Sequence, residues 1–317
     1  MKPPWLNKKI DLGSCSEMKS LLRGMKLETV CEQASCPNIG ECFSQSHAAF
    51  LILGPQCTRS CSFCNVVKGV PLLPDTGEPA RVAEAVKKLA LKHVVITSVT
   101  RDDLADGGAE VFADTVLSIR KNTPRVTIEV LIPDFKLFPD SLRVVTESGP
   151  DIIAHNVETV PSLYRSVRQG SDYRRSLNVL YVIKKISPCL KTKSGIMLGL
   201  GEKEIEVISV MRDLRAAKCD FLSIGQYLAP SKLHYPVKEY IIPERFAYYK
   251  EKGLSMGFSH VESGPYARSS YMASAYLPSL RRGPRTTRVR GKLRPTKPFD
   301  KSSGLRPEQS RRTKQTQ

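Results

Sequence analysis

Six times between residues 48 and 228 a short apolar run rich in β-branched residues recurs, and the stretches between carry apolar positions at helical spacing. Few folds accept that alternation, because strands joined through helices pair in parallel by right-handed crossovers. The strand-like runs are AAFLILG (48–54), HVVITSV (93–99), VTIEVLIP (126–133), DIIAHNVE (151–158), KSGIMLGLG (193–201) and DFLSIGQYL (220–228). Helices are predicted over 79–92, 108–122, 172–187 and 204–218. A shorter one falls near FPDSLRVVTESG, and a last near PERFAYYKEKGLSM precedes a short strand, FSHVES. The expected class is α/β, a partial (β/α)6 barrel of the TIM type. A flat dinucleotide-binding sheet would want a glycine fingerprint after its first strand, and GPQCTRSCSFC is not one. Barrel chemistry gathers at the C-terminal ends of the strands.

The second constraint lies at that first strand end. Of nine cysteines, six fall between residues 31 and 64, in two groups of three. Cys57, Cys61 and Cys64 have gaps of three and two; Cys31, Cys36 and Cys42 have gaps of four and five. A structural zinc site takes four ligands, usually from paired CxxC knuckles. Three thiolates on one loop suit a [4Fe–4S] cluster with one iron left open to substrate. The gaps of three and two after a first barrel strand are the pattern of the radical S-adenosylmethionine superfamily. The upstream triplet fits neither that pattern nor a zinc ribbon, and suits a second cluster again one ligand short. An accessory structural metal is the plainer alternative for it. Cys15, Cys189 and Cys219 are scattered and read as ordinary small residues.

With CEQASCPNIGEC followed by CTRSCSFC, the sequence resembles the lipoyl synthase family, whose members insert two sulfur atoms into a protein-bound octanoyl chain. Further segments match in order: KPPWL, TSVTRDDLADGGA (97–109), HNVETV (155–160), DYRRSLNVL (172–180), IMLGLGE (196–202), IGQYLAPSKLHYPV (224–237) and SGPYARSSYMA (263–273). The resemblance runs from about residue 2 to residue 274. It departs at Phe43, where the family usually has tryptophan.

The resemblance implies a division of labour between two [4Fe–4S] clusters. Cys57, Cys61 and Cys64 would hold the one that cleaves S-adenosylmethionine to a 5′-deoxyadenosyl radical. Cys31, Cys36 and Cys42, with Ser270 or alternatively Ser269 of RSSY, would hold an auxiliary cluster that donates sulfur. A hard serine oxygen on iron already bound by soft sulfides makes that iron easy to release. The need for a radical follows from the substrate: carbons 6 and 8 of an octanoyl chain have unactivated C–H bonds, without an acidic proton or a leaving group, and cofactors carry such chemistry. Asn156 and Glu158, at a strand end, are candidates for binding S-adenosylmethionine; the other reading is that they satisfy loop backbone. Met197 to Glu202 resembles a segment near the adenosine. Phe63 is placed against the cluster or adenine, with a core position the alternative. Arg268 is read as steadying RSSY or making a surface ion pair. His155 and His234 receive no ligand role.

The division expected is residues 1–47 as a cluster-binding extension, 48–276 as the barrel core with RSSY, and 277–317 as a basic, disordered tail. The formal charge is +18, but thirteen Lys and Arg against Asp300 and Glu308 place +11 between residues 279 and 317, leaving +7 for the rest. That segment is rich in Pro, Gly, Ser and Thr and lacks apolar periodicity. It reads as a solvated tail rather than a nucleic-acid arm. A tRNA methylthiotransferase would carry its auxiliary cysteines far upstream, whereas Cys42 and Cys57 are close together. A zinc-stabilised RNA-binding protein remains the reading from a different class. Nothing approaches eighteen consecutive apolar residues, and no leader pattern opens the chain, so a reducing cytoplasm is expected. Implied partners are octanoylated carrier domains (the 2-oxoacid dehydrogenase E2 subunit and the glycine cleavage H protein), a donor such as ferredoxin or flavodoxin, and an iron–sulfur carrier.

Overall fold

In the computed structural model, residues 2–7, 13–44 and 47–271 are described. Seven strands lie side by side in chain order: β1 (Ala49–Ile52), β2 (His93–Ser98), β3 (Thr127–Leu131), β4 (Ile152–Ala154), β5 (Lys191–Leu198), β6 (Phe221–Gln226) and β7 (His260–Gly264). Every neighbouring pair is parallel. Between them run α1 (Glu78–Lys88), α2 (Ala109–Asn122), α3 (Pro139–Glu147), α4 (Tyr173–Ile186), α5 (Glu204–Ala216) and α6 (Pro243–Ser255). β1 and β7 are at opposite ends of the strand order, apart from one antiparallel addition, Glu28–Thr29 against β1. The expected partial barrel is therefore present.

The strands read as continuous apolar runs because both faces are covered, as parallel sheets require. β1 and β6 are buried at every position. β4 is shorter than the run 151–158 predicted. After Ala154 the chain leaves the ladder, and only Glu158 returns to it as a single parallel bridge to Ile196. In that stretch Asn156 and Glu158 border the cavity at the strand ends, whereas His155 and Val157 are buried.

The segment before β1 is built onto the same core. Met18, Leu22 and Phe43 belong to one buried cluster with Phe50, Val94 and Ile128. Phe43 is 3% exposed and fills part of that core. Helix Gly13–Gly24 was not anticipated from the sequence. Two short helices follow, Val30–Gln33 and Ile39–Ser44. Thr29 caps the first by accepting from the Glu32 amide at 3.3 Å. The side chain of Cys15 and the basic tail predicted at 277–317 lie outside the described residues.

Candidate active site

The two triplets are delivered by different means. Cys57 ends a two-residue strand, Gln56–Cys57, that pairs with Val67–Lys68 and so folds the loop after β1 back on itself. Cys61 and Cys64 lie inside the returned loop. In the other triplet Cys31 sits on the helix Val30–Gln33, Cys42 on the helix Ile39–Ser44, and Cys36 between them. The six cysteines are free thiols.

The loop is fastened from several strand ends at once. The Arg59 guanidinium donates to both oxygens of Asp102, at 2.7 and 2.9 Å, and to both oxygens of Asp134, at 2.7 and 2.9 Å. Asp134 also accepts from Arg175 Nε at 2.8 Å. The side chains of Arg59 and Asp134 are 7% and 0% exposed. Burial opposes ionisation of Asp134, but the hydrogen bonds and charge of Arg59 hold its carboxyl well below the usual range. On the far side of the loop, Ser62 donates from its amide to the Val167 carbonyl at 3.0 Å and from its hydroxyl to Ser166 O at 2.8 Å. The amides of Arg59 and Thr100 both point at Cys57 Sγ, 3.4 Å away.

Cys31, Cys36, Cys57, Cys61 and Cys64 all border one cavity of about 510 Å³ at the C-terminal ends of the strands. Phe63, Asn156, Glu158, Ser269 and Ser270 border it too. Cys42 lies beyond, on a small adjoining space lined also by Cys31, His47, His93 and Ser270. Asn156 Nδ2 donates to Glu158 at 3.0 Å, while its Oδ1 accepts from Ser269 Oγ at 2.8 Å. Glu158 is pushed above the ordinary carboxyl range by burial, which the nearby Arg168 opposes. Phe63 packs with Val167, Leu200 and Tyr227. Within Met197 to Glu202, the Glu202 carboxylate accepts the amides of Gly199 and Leu200 at 2.6 and 2.9 Å. Arg268 donates from Nη1 to carbonyls of its own turn, Pro265 and Ala267. His155 Nδ1 bonds Ile132 O and His234 Nδ1 bonds Ser231 Oγ, each at 2.9 Å.

The donor chemistry fits iron–sulfur clusters. Among the described residues no three His, Cys, Asp or Glu side chains converge on a point that would hold a single ion. A four-iron cube takes each thiolate at a different iron, which three thiols on one short segment suit. Burial, and for Cys31 also the neighbouring Cys36, push Cys31 and Cys64 up to about 12.

The sequence reading missed the Arg59 clamp and a buried pair, Lys193 with Glu129, 3.0 Å apart beneath the cavity. Glu129, a lone charge inside the apolar strand β3, was the available signal; Lys193 stands in the polar start of β5, beside Lys191 and Thr192, and gave none.

The radical SAM superfamily profile matches residues 51–214. Over 276 residues the chain is 59% identical to "Lipoyl synthase" of Geobacter sp. (strain M21), covering 87% of this chain and 94% of that one. The chain belongs to the lipoyl synthase family. Lipoyl synthase of Citrifermentans bemidjiense is 58% identical over 278 residues, covering 88% of this chain and 95% of that protein. Among solved structures, Streptococcus suis SuiB bound to S-adenosylmethionine is similar in fold, with a TM-score of 0.54 at 11% identity, over 81% of this chain and 56% of that one. Membership in the lipoyl synthase family makes the chain a radical SAM enzyme and brings with it S-adenosylmethionine and a [4Fe–4S] cluster. Among the described residues no helix is long and apolar enough to cross a membrane.

Proposed function

We propose that this enzyme inserts sulfur at carbons 6 and 8 of an octanoyl-lysine chain on a carrier domain, using two clusters bound at the two triplets. The observation that carries the reading is the shared cavity: one space of about 510 Å³ borders thiols of both triplets, so a single acyl chain can meet both. When bound, the cluster at Cys57, Cys61 and Cys64 with S-adenosylmethionine supplies the adenosyl radical, and the cluster at Cys31, Cys36, Cys42 and Ser270 supplies sulfur.

The chain's own residues bind, orient and exclude water. Arg59, tied to Asp102 and Asp134, holds the loop of the radical triplet. Asn156 and Glu158 offer a carboxylate and an amide at a strand end, suited to the polar groups of S-adenosylmethionine. Phe63, packed on Val167 and Tyr227, closes that side with apolar surface and keeps water from the reacting carbons. Ser270 is favoured over Ser269 as the auxiliary ligand, because Ser269 Oγ already donates to Asn156 whereas Ser270 borders the same small space as Cys31 and Cys42.

The division follows: residues 1–47 as the extension for the auxiliary site, 48–276 as the barrel with RSSY, and 277–317 as a separate basic tail. Proposed partners are the E2 subunit of 2-oxoacid dehydrogenases and the glycine cleavage H protein as carriers, ferredoxin or flavodoxin as donor, and an iron–sulfur carrier that restores the auxiliary cluster. Free thiols in this number fit the reducing cytoplasm.

The test is anaerobic reconstitution followed by S-adenosylmethionine, dithionite and an octanoylated lipoyl domain. About eight irons per chain and a mass gain of two sulfur atoms on the domain are expected. Formation of 5′-deoxyadenosine without that gain would retain the radical chemistry and overturn the substrate; zinc without iron would overturn both.

A further inference from the structure

Two charges lie where a parallel sheet is normally apolar. Glu129 on β3 and Lys193 on β5 have no exposed side-chain surface, and Lys193 Nζ is 3.0 Å from Glu129 Oε1. Burial opposes ionisation of Glu129, but Lys193 and His93 hold its carboxyl below the ordinary value. An apolar pair of the same volume would serve stability at least as well as such a buried pair. What an apolar pair would not supply is the ammonium's second bond, to the carbonyl of Ser269 at 2.5 Å.

That bond belongs to a seat shaped for the RSSY segment. A Cβ added at Gly225 on β6 would overlap the Ala267 carbonyl oxygen. One added at Gly195 on β5 would come within 2.9 Å of Ser269 Oγ. Two glycines thus let the segment lie directly on the strand ends. Ser269 is held there by its carbonyl, through Lys193, and by its hydroxyl, through Asn156. The next residue, Ser270, borders the space shared with Cys31 and Cys42.

We infer that Lys193 is a positioning residue for the auxiliary site: anchored on Glu129, it holds the Ser269 carbonyl and so aims Ser270 at the first triplet. This rests on the proposed ligand role of Ser270. The same bond requires a donor that is long, charged and buried, which accounts for lysine at 193 and a carboxylate at 129.

The test uses the full chain reconstituted with iron-57, read by iron and sulfide content and by the Mössbauer signature of an iron bound by oxygen. Lys193→Met/Glu129→Gln removes both charges together, so neither is left alone. It is expected to lose that signature, or to lose about half of the iron, while 5′-deoxyadenosine formation without acyl substrate stays within about twofold of the parent. Glu129→Gln alone removes the anchor and leaves the ammonium buried without its charge partner, so it is expected to weaken the signature as the double variant does, and an unchanged signature overturns the anchoring. An unchanged signature in the double variant overturns the role of Lys193. If that variant is insoluble, Lys193→Leu/Glu129→Leu replaces the pair with two apolar side chains that cannot donate to Ser269 and is read the same way. Ser270→Cys separates the two claims: an altered signature supports Ser270 as ligand whatever Lys193 does, and an unaltered one overturns the ligand role itself.

Discussion

The two triplets differ in what holds them. The loop bearing Cys57, Cys61 and Cys64 follows β1 and is clamped by Arg59 to Asp102 and Asp134, residues that follow β2 and β3. Cys31 and Cys42 stand on short helices ahead of the barrel, with Cys36 between them, and are closed by a segment that follows its last strand. Asn38 donates to the Tyr266 carbonyl at 2.8 Å, and the Tyr271 hydroxyl donates to Glu41 at 3.0 Å. One site is gripped by the middle of the fold and the other is assembled from two segments that flank it. A cluster used in every turnover suits the first arrangement. Under the proposed function, the second suits a cluster dismantled for its sulfur, because it is closed by bonds between two segments far apart in the chain.

The largest effect expected to sharpen this contrast comes from the cysteines. Cys57→Ala should reduce 5′-deoxyadenosine formation to background, while Cys36→Ala should leave it running and abolish sulfur insertion; equal loss in both variants would end the distinction. Next is the clamp. Arg59→Met leaves the buried Asp134 with one cation fewer and should cost about 3–5 kcal/mol of stability, measured by denaturant unfolding, with Asp134→Asn added to the variant restoring part of it. A loss no larger than that of a surface pair would mean that the loop is held otherwise.

Acid should weaken the barrel side in the same way. Burial and the charge of Arg168 push His155 down to about 4, against an ordinary value of 6.5. Between those values the unfolded chain binds a proton that the native one does not, so stability falls as pH drops through this window. The contribution is about 3 kcal/mol, and His155→Asn should flatten that part of the stability profile. The smallest effect expected is that of Ser270→Ala: intact adenosyl formation with sulfur insertion slowed on the order of tenfold. Loss of both activities together would place Ser270 with the radical site instead.

Local patterns announced the barrel and the six thiols, since β-branched runs and cysteine gaps are visible within a few residues. Long-range pairings were not visible. Arg59 finds Asp134 across 75 positions, and Lys193 finds Glu129 across 64. No periodicity encodes such partners. The turn after β3 was equally hidden: Phe135, Lys136 and Leu137 all have positive φ, at 44°, 51° and 60°, although none is glycine. Three residues in that region carry a cost of order 1–3 kcal/mol each. Asp134 offsets part of it by accepting the Lys136 amide at 3.0 Å while gripping Arg59. The segment 151–158 looked like one strand because its β-branched residues hid the departure of His155 and Asn156 from the ladder.

The bonds that close the auxiliary site join residues 228 and 230 positions apart. During synthesis at about 5–20 residues per second, roughly 10–50 s separate the emergence of their two partners. For that interval the first three cysteines wait without these bonds, whereas Arg59 of the neighbouring loop meets Asp102 and Asp134 within 75 positions. The upstream triplet is therefore closed only once the chain beyond the last strand has been made.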